Sequence, residues 1–181
     1  AAQLAPSMLG ADGPRKYLMA FETPSEARGT GGILGAFGII DFKDGEPNVE
    51  TIAPNGSLRK RLASDANAEA DIDLGPEFNK EYGWTNPYTD LRNSNMSPHF
   101  PYAAQLWKSM WEGSMWARES GQKLDGVMAM DIVALSYILG ALGSVTMPDG
   151  EVITQENIVE LTGSTTYIRF PREEDQPARK Q

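Results

Sequence analysis

Cysteine is absent from this chain of 181 residues, and histidine occurs only once. The absence of cysteine excludes disulfide bonds, a thiolate nucleophile and cysteine-based zinc sites. The single His99 cannot form a histidine-rich metal site, and no second histidine supports it as a catalytic base. We therefore interpret His99 as a loop residue.

Positive charge is also scarce, because 16 lysines and arginines are outnumbered by 25 aspartates and glutamates, for a net charge of -9. Binding to a nucleic-acid backbone or to an anionic membrane surface requires a basic face, so neither is expected. A local cluster of arginines would still be able to bind a small anion.

Long apolar runs are missing as well, and no stretch resembles a signal peptide or a membrane span. The hydrophobic content of 40% is ordinary for a globular protein, and the length fits a single domain over residues 1–181. The first ten residues lack an initiator Met and are typical of the tail of an earlier helix. We therefore expect a fragment of a longer protein whose membrane anchor lies upstream.

Short apolar runs between turn signals predict an α/β domain. The predicted elements are strands at 16–21, 33–42, 48–52 and 126–130, a hairpin over 145–153, and helices over 98–119, 132–142 and 154–161. Residues 58–68 have modest helical character. Residues 71–89 are rich in Gly, Pro, Asn and Asp, and they predict an irregular surface segment.

Residues 120–147 are largely apolar, with hardly a charge between Asp131 and Asp149, and we predict that they form the buried centre of the domain. Asp131 is expected to cap the helix over 132–142, and Gly143 is expected to end it. The helix over 98–119 has a wide apolar stripe that includes three tryptophans: Trp107, Trp111 and Trp116. We interpret the stripe as core, and the alternative is a tunnel for a lipid chain.

The run from 119 to 147 resembles the central segment of the LytR-CpsA-Psr family, which reads T-G-hydrophilic-I-D-x-hydrophobic-x-V-D before a helix that ends A-L-G-G-V-x-V. At the front, Tyr17 to Phe21 and then Arg28-Gly29-Thr30 are similar to the strand, acidic loop and R-S-D-T of that family. Its R-x-R, D, R and R-Q-Q ending is matched by Arg169, Arg172, Asp175, Arg179 and Gln181.

Two sequence motifs are closer to those of an uncharacterised actinobacterial family of extracytoplasmic domains of unknown function, and the chain is identified as a member of that family. Residues 25–35 match its N-A-E-x-R-x-T-G-G-F-x-G loop, and residues 92–101 match its R-D-A-N-W-S-P-x-F-P segment. The LytR-CpsA-Psr proteins are then distant relatives.

The resemblance implies a three-layer α-β-α fold with a central mixed sheet, in a membrane-anchored, extracytoplasmic protein. The relatives are phosphotransferases that move glycopolymers from a polyprenyl pyrophosphate carrier to the cell wall. Their arginines and an aspartate-held magnesium bind the pyrophosphate, while an apolar tunnel holds the lipid. The implied partner is a polyprenyl-phosphate-linked glycan or a related anionic lipid.

Three departures from the LytR-CpsA-Psr pattern bear on catalysis. Thr30 stands where R-S-D-T has aspartate, and Asn55-Gly56 stands where I-P-R-D has arginine and aspartate. The R-x-R pair is stretched to Arg169 and Arg172. Magnesium prefers carboxylate oxygens, so the ion implied by the resemblance would have few protein ligands, and we assign no catalytic residue and no metal ligand.

Four arginines are the candidate phosphate-binding residues: Arg28, Arg92, Arg169 and Arg172. A guanidinium group is always charged and can donate two parallel hydrogen bonds to phosphate oxygens. Three further residues are expected to support them: Glu26, Asn95 and Arg179. The alternative for each arginine is an ordinary ion pair with a neighbouring carboxylate, such as Glu26, Asp90 or Glu173.

The loop before the second strand allows two interpretations of its glycines and carboxylates. The backbone of residues 29–32 would be able to approach an anion, or the glycines would serve a turn before the strand. Glu22 and Glu26 would be able to hold a cation or act as a base, or they would pair with Arg28.

Two functions follow as hypotheses. The first is a cell-envelope domain that binds a polyprenyl-(pyro)phosphate-linked glycan or related anionic lipid, with phosphotransferase activity left open. The alternative is a non-catalytic module that binds a protein or a glycan through residues 71–89. An apolar tunnel beside clustered arginines would favour the first, whereas a filled core with ion-paired, dispersed arginines would favour the second.

Overall fold

The computed structural model describes residues 3–58 and 68–162. The chain forms two compact units, Ala1–Ala129 and Met130–Gln181. The modest helical character predicted at 58–68 falls almost wholly outside the described residues. Three predicted site residues also lie outside them: Arg169, Arg172 and Arg179.

The described residues form six strands and six short helices, which include the predicted elements and some that the sequence did not predict. The strands are β1 (Arg15–Thr23), β2 (Ile33–Lys43), β3 (Glu46–Pro54), β4 (Gly126–Asp131), β5 (Val145–Thr146) and β6 (Val152–Ile153). The helices are α1 (Ala5–Met8), α2 (Pro76–Tyr82), α3 (Phe100–Gly113), α4 (Met115–Ser120), α5 (Ile132–Leu142) and α6 (Ile158–Glu160). Short 3₁₀ turns occupy Asn55–Ser57, Gly83–Thr85 and Leu91–Asn93.

The main sheet has the strand order β3-β2-β1-β4. β1, β2 and β3 form an antiparallel meander, and the turn between β2 and β3 lies at the predicted Asp44-Gly45, where both residues have positive φ. β4 is placed beside β1 by Asp125, whose backbone N–H donates to the Lys16 carbonyl at 2.7 Å. The predicted α/β class is confirmed: the sheet is mixed and helices flank it.

The core of the first unit lies between this sheet and α3. Trp107 and Trp111 are 0% and 2% exposed, and Phe37 of β2 meets Trp111 edge-on with ring centroids 6.2 Å apart. The apolar stripe predicted over 98–119 is therefore core, and these indoles do not line an open tunnel. The predicted single helix is in fact two, because Ser114 adopts an extended conformation (φ -82°, ψ 163°) and accepts a hydrogen bond from the first turn of α4.

The irregular segment predicted at 71–89 contains a helix, so that prediction was wrong in part. Pro76 begins α2, and Phe78 is buried among the rings of Tyr82, Tyr88 and Tyr102. Proline at the first helical position and a buried aromatic one turn into the helix outweighed the turn-forming residues on either side.

In the second unit, α5 has the boundaries that the sequence predicts, but it is not buried as predicted. The Asp131 carboxylate accepts a hydrogen bond from the Ala134 N–H at 2.7 Å, and Gly143 has φ +99° just after the last helical residue. However, Tyr137 and Leu142 are 68% and 84% exposed, so the prediction that 120–147 forms the buried centre was wrong. α5 is apolar nearly all round, and its sequence therefore does not indicate which face is covered.

The rest of the second unit is a small hairpin and a short helix. β5 and β6 pair antiparallel, as the Asp149-Gly150 turn predicts. α6 is shorter than the predicted helix over 154–161, because the Thr154 hydroxyl accepts from the Glu156 and Asn157 N–H groups and forms a turn instead. Among the residues that the structure describes, no helix has the length and hydropathy needed to cross a membrane.

Candidate functional site

Two stretches that lie far apart in the sequence are in contact in the first unit: residues 23–32, here the site loop, and residues 90–97, here the site segment. A Cβ atom built on Gly29 would lie 2.2 Å from the Met96 carbonyl oxygen, and one on Gly32 would lie 2.4 Å from the backbone of Thr23. Gly31 has φ +140°. The glycines therefore serve close backbone approach and a turn rather than an open anion cradle.

Arg28 of the site loop bridges to the site segment through its side chain. Its Nε donates to the carbonyl oxygen of Arg92 at 2.8 Å, and its Nη1 donates to the Ala27 carbonyl at 2.9 Å. Arg28 is half-buried, and it makes no ion pair with any carboxylate of the described residues. Its charge is therefore held in place by two backbone oxygens and is not neutralised by a paired carboxylate there.

Arg92 of the site segment forms the ion pair that the alternative interpretation predicts. Its Nε and Nη2 donate to the two carboxylate oxygens of Asp90 at 3.0 and 2.9 Å. These hydrogen bonds lower the pKa of Asp90, and the same contact raises the pKa of Arg92, with a smaller contribution from the charge of Glu26. The Arg92 side chain is nevertheless 65% exposed, so the pair lies in solvent.

A cavity of about 250 Å³ opens beside Arg92. We call it the arginine pocket; its lining residues are Asn55, Gly56, Leu91 and Arg92. Asn55 is fixed there because its Nδ2 donates to the Leu34 carbonyl at 2.8 Å. The volume falls below the range of about 300–1,000 Å³ that is typical of pockets for drug-sized ligands, so the cavity suits a small chemical group.

A buried polar cluster underlies the contact between the site loop and the site segment. We call it the Asn95 cluster, and its members are Glu22, Thr30, Gly32 and Asn95. Asn95 is 0% exposed, and its Nδ2 lies 2.8 Å from the Gly32 carbonyl, 2.8 Å from Thr30 Oγ1 and 3.1 Å from Glu22 Oε1. The Thr30 hydroxyl donates to the same Glu22 oxygen. Asn95, which was expected to support the arginines, thus contacts the site loop that carries Arg28.

Sequence reasoning missed the part played by Glu22 in this cluster. Side chains alternate along β1, so Glu22 shares the core-facing row with Leu18 and Ala20, and it is buried like them. A register shift against β2 falls between Phe21 and Glu22, which is a common way of re-aiming a side chain at a sheet edge. A charged residue at the end of an apolar row of period two is the signal that would have identified it.

The remaining predicted residues lie at other places. Glu26 is exposed, and its backbone carbonyl accepts from the Ile33 N–H at 2.8 Å. His99 directly precedes α3, with its ring 4.7 Å from that of Tyr102, as expected of a loop residue. Asp131 belongs to the second unit, where it is a helix cap.

Magnesium, the metal implied by the resemblance, does not fit the described residues. They contain no group of three His, Asp or Glu side chains suited to a metal ion. The only carboxylate that contacts the Arg92 guanidinium in the described residues is already bonded to it in bidentate fashion. No step of a reaction is therefore assigned to a metal.

The fold and the site together define an α/β protein with a small cavity that Arg92 lines, and Arg28 donates a hydrogen bond to the backbone of Arg92. The chain belongs to the family described as protein of unknown function (DUF4012), whose model matches residues 12–167. That match includes the site loop, the site segment and the Asn95 cluster. No curated protein and no solved structure matches the chain. The predicted membership of a family of unknown function is confirmed, whereas neither comparison links the chain to LytR-CpsA-Psr proteins.

Proposed function

We propose that this domain binds the phosphate group of a polyprenyl-phosphate-linked glycan, or of a related anionic lipid, at the arginine pocket. The proposal includes an extracytoplasmic location, a membrane anchor in another part of the protein, and a distant relation to the LytR-CpsA-Psr family. The observation that carries it is the hydrogen bond from the Arg28 guanidinium to the backbone carbonyl of Arg92, 64 residues away in the chain, where Arg92 itself lines a cavity.

The charges at the pocket support an anionic ligand. Arg28 is not paired with any carboxylate of the described residues, and Arg92 keeps most of its side chain in solvent although Asp90 neutralises it. Two guanidinium groups on neighbouring backbone segments can approach one phosphate from two sides. In a protein with a net charge of -9, such a local concentration of arginine is what an anion requires.

The size of the pocket favours the head group over the chain of a lipid. A volume of about 250 Å³ accommodates a phosphate and part of a sugar, while two of the three tryptophans of the alternative tunnel lining, Trp107 and Trp111, are buried in the core. The proposal therefore places the phosphate in the pocket and the lipid chain outside it.

Transfer of a glycopolymer is not part of the proposal. Thr30 and Asn55-Gly56 stand where the relatives have carboxylates and an arginine, and the Thr30 hydroxyl is already bonded within the Asn95 cluster. Binding without transfer is the activity that these residues support.

The test is calorimetric titration of the purified chain with three probes: farnesyl pyrophosphate, inorganic pyrophosphate and farnesol. Binding of both pyrophosphates, with farnesol inactive, is expected. Loss of one guanidinium–phosphate contact in Arg28→Ala or Arg92→Ala should weaken binding by about tenfold or more. Arg118→Ala, which removes an exposed arginine of α4, is the matched control and should bind as the unmodified chain does.

The proposal fails if the pyrophosphates do not bind, or if the three arginine variants lose affinity equally. Equal loss would indicate that binding responds only to total charge. Farnesol binding as tightly as its pyrophosphate would indicate an apolar site instead.

A second candidate, a glycan-binding module, is favoured by one residue of the segment 71–89. Trp84 is 77% exposed, and its ring is held in place because Nε1 donates to the Glu81 carbonyl at 3.0 Å. A fixed, exposed indole offers a flat apolar surface against which the apolar face of a sugar ring can stack. Trp84→Ala should then abolish retention of the protein on insoluble cell-wall glycan, whereas Arg28→Ala should not change it.

A further inference from the structure

The Asn95 cluster joins the site loop to the site segment by hydrogen bonds that are shielded from water. Asn95 and Glu22 are 0% and 8% exposed. The Asn95 amide contacts one oxygen from each of three residues: Glu22, Thr30 and Gly32. Thr30 adds a second link, because its hydroxyl accepts from Asn95 and donates to Glu22. The end of β1, the site loop and the site segment are thus connected through one amide group.

The orientation of that amide is fixed by its surroundings. The Nδ2 atom is near three acceptor oxygens, while the buried Oδ1 atom has no hydrogen-bond partner. Turning the amide over would place an oxygen against the Glu22 carboxylate and the Gly32 carbonyl, and both contacts would become repulsive. Asn95 can therefore act only as a donor to the site loop.

The cluster joins the stretch that carries Arg28 to the stretch that carries Arg92. Thr30 follows Arg28 by two residues, and Asn95 follows Arg92 by three. On the core side, the Trp107 indole donates to Ser94 Oγ at 2.6 Å, and the Ser94 hydroxyl donates to the Leu91 carbonyl at 2.7 Å. The site segment is thus hydrogen-bonded to α3 through Ser94 and to the loop that carries Arg28 through the next residue, Asn95.

We propose that Thr30 and Asn95 are positioning residues for the arginine pocket. Together with the Glu22 carboxylate they hold the site loop on the site segment, so that the Arg28 guanidinium stays bonded to the Arg92 carbonyl. Neither residue touches the ligand. This inference rests on the proposed function and adds residues that set its affinity by controlling where Arg28 lies.

The first test compares Thr30→Val with Thr30→Ser. Valine keeps the shape of threonine but removes the hydroxyl, whereas serine keeps the hydroxyl. In hydrogen–deuterium exchange, Thr30→Val should accelerate exchange of the loop amides of Gly31 and Ile33 by about tenfold or more, because a buried donor and acceptor lose their partner. The amides of α3 should keep their protection, and Thr30→Ser should restore the loop.

The same pair of variants is then titrated with inorganic pyrophosphate. Thr30→Val should weaken binding by a factor similar to its effect on loop exchange, and Thr30→Ser should bind within about twofold of the unmodified chain. Unchanged loop exchange in Thr30→Val would overturn the proposal. Loss of protection in α3 to the same extent would also overturn it, because the hydroxyl would then support the whole fold and not the loop.

Asn95→Asp supplies a readout that depends on pH. The new carboxylate faces that of Glu22, and two such groups in contact share a proton more readily than they both ionise. The loop should therefore be released at pH 8 and re-formed as the pH falls toward about 5, so the affinity for pyrophosphate should recover relative to the unmodified chain. An affinity ratio that is constant over this range would contradict the proposed contact between Asn95 and Glu22.

One further measurement separates failure of the positioning role from failure of the proposed function. The Nε–H signal of Arg28, observed by ¹⁵N NMR without any ligand, should be protected from exchange in the unmodified chain and in Thr30→Ser, and exposed in Thr30→Val. If pyrophosphate does not bind the unmodified chain, the proposed function is wrong, and this signal alone decides whether the cluster positions Arg28.

Discussion

Asn95 and the Asp90–Arg92 ion pair belong to the same short segment of the chain, but the Asn95 cluster and the pair stabilise the protein in different ways. The cluster is buried and uses an uncharged amide to connect distant parts of the chain. The ion pair joins residues two positions apart, and its arginine is 65% exposed. A buried hydrogen bond contributes more to stability than an exposed ion pair, because its partners cannot turn to water. The cluster therefore holds the site loop on the site segment, while Asp90 in the pair reduces the positive charge that Arg92 brings to the site.

The largest effect is expected from removing the amide of the cluster. Asn95→Ala removes the donor to the Gly32 carbonyl and one of the two donors to the Glu22 carboxylate, and the free energy of unfolding should fall by about 2 kcal/mol, within the range of 1–3 kcal/mol for buried groups that lose a partner. Urea denaturation followed by tryptophan fluorescence measures it. A change below about 0.5 kcal/mol, as small as a surface substitution gives, would mean that the cluster contributes no more to stability than the exposed ion pair does.

A somewhat smaller loss is expected where the site segment meets the core. Ser94→Ala removes the acceptor of the Trp107 indole N–H, which is fully buried, and the unfolding free energy should fall by about 1–2 kcal/mol. The same denaturation experiment applies. The emission maximum of Trp107 should also shift, because the indole N–H loses its only hydrogen-bond partner among the described residues. A stable variant with an unchanged spectrum would mean that the segment is anchored elsewhere.

The ion pair should contribute little to stability and in a way that depends on pH. The pKa of Asp90 is lowered, chiefly by the hydrogen bonds from Arg92, so the folded state favours the carboxylate. Its stabilisation is present above the ordinary value of 3.8 and is lost as the pH falls through the lowered folded-state pKa. Asp90→Asn should cost about 1 kcal/mol or less at pH 7, and the difference should vanish once the pH is below the lowered folded-state pKa of Asp90.

The same variant should have the opposite effect on anion binding. Asp90→Asn removes the charge that neutralises Arg92 and keeps an oxygen that can accept from the Arg92 backbone N–H. Pyrophosphate should therefore bind more tightly, by about threefold to tenfold at low ionic strength, with the gain reduced at high salt. Weaker binding would show that Asp90 orients Arg92 for the ligand and does not compete with it.

The smallest effect is expected for the exposed pair on α3. Lys108 and Glu112 are four residues apart with their charged groups 3.0 Å from each other, and such pairs contribute about 0.3–0.5 kcal/mol. Lys108→Ala should therefore change stability by less than this amount and leave pyrophosphate binding unchanged. The stability change in Lys108→Ala is the lower limit with which the stability change in Asp90→Asn is compared.

The strands and the helix boundaries could be predicted because local signals determine them. Turn residues at Asp44-Gly45, the cap at Asp131 and the apolar stripe of α3 each act within a few residues. Burial was predicted correctly for α3, which has a polar face to contrast with its apolar one, and wrongly for α5, which has almost none. A uniform apolar helix carries no information about which side is covered.

The candidate site was predictable only in its parts. Arg28, Arg92 and Asn95 were identified from their motifs, but the bond from Arg28 to a backbone carbonyl 64 residues away follows from the folded backbone and not from any spacing. The burial of Glu22 depends on the alternation of β1 and on a register shift that the sequence does not reveal. Long-range contacts of this kind set the geometry of the site, while the motifs supply only its residues.

The most direct test of the account is an NMR titration of the arginine side-chain Nε–H signals with inorganic pyrophosphate. The signals of Arg28 and Arg92 should shift together along one saturable curve, while that of Arg118 stays in place. Shifts that are spread evenly over all arginines and do not saturate, or an Arg28 signal that does not move, would contradict the claim that the site loop and the site segment form one anion-binding pocket.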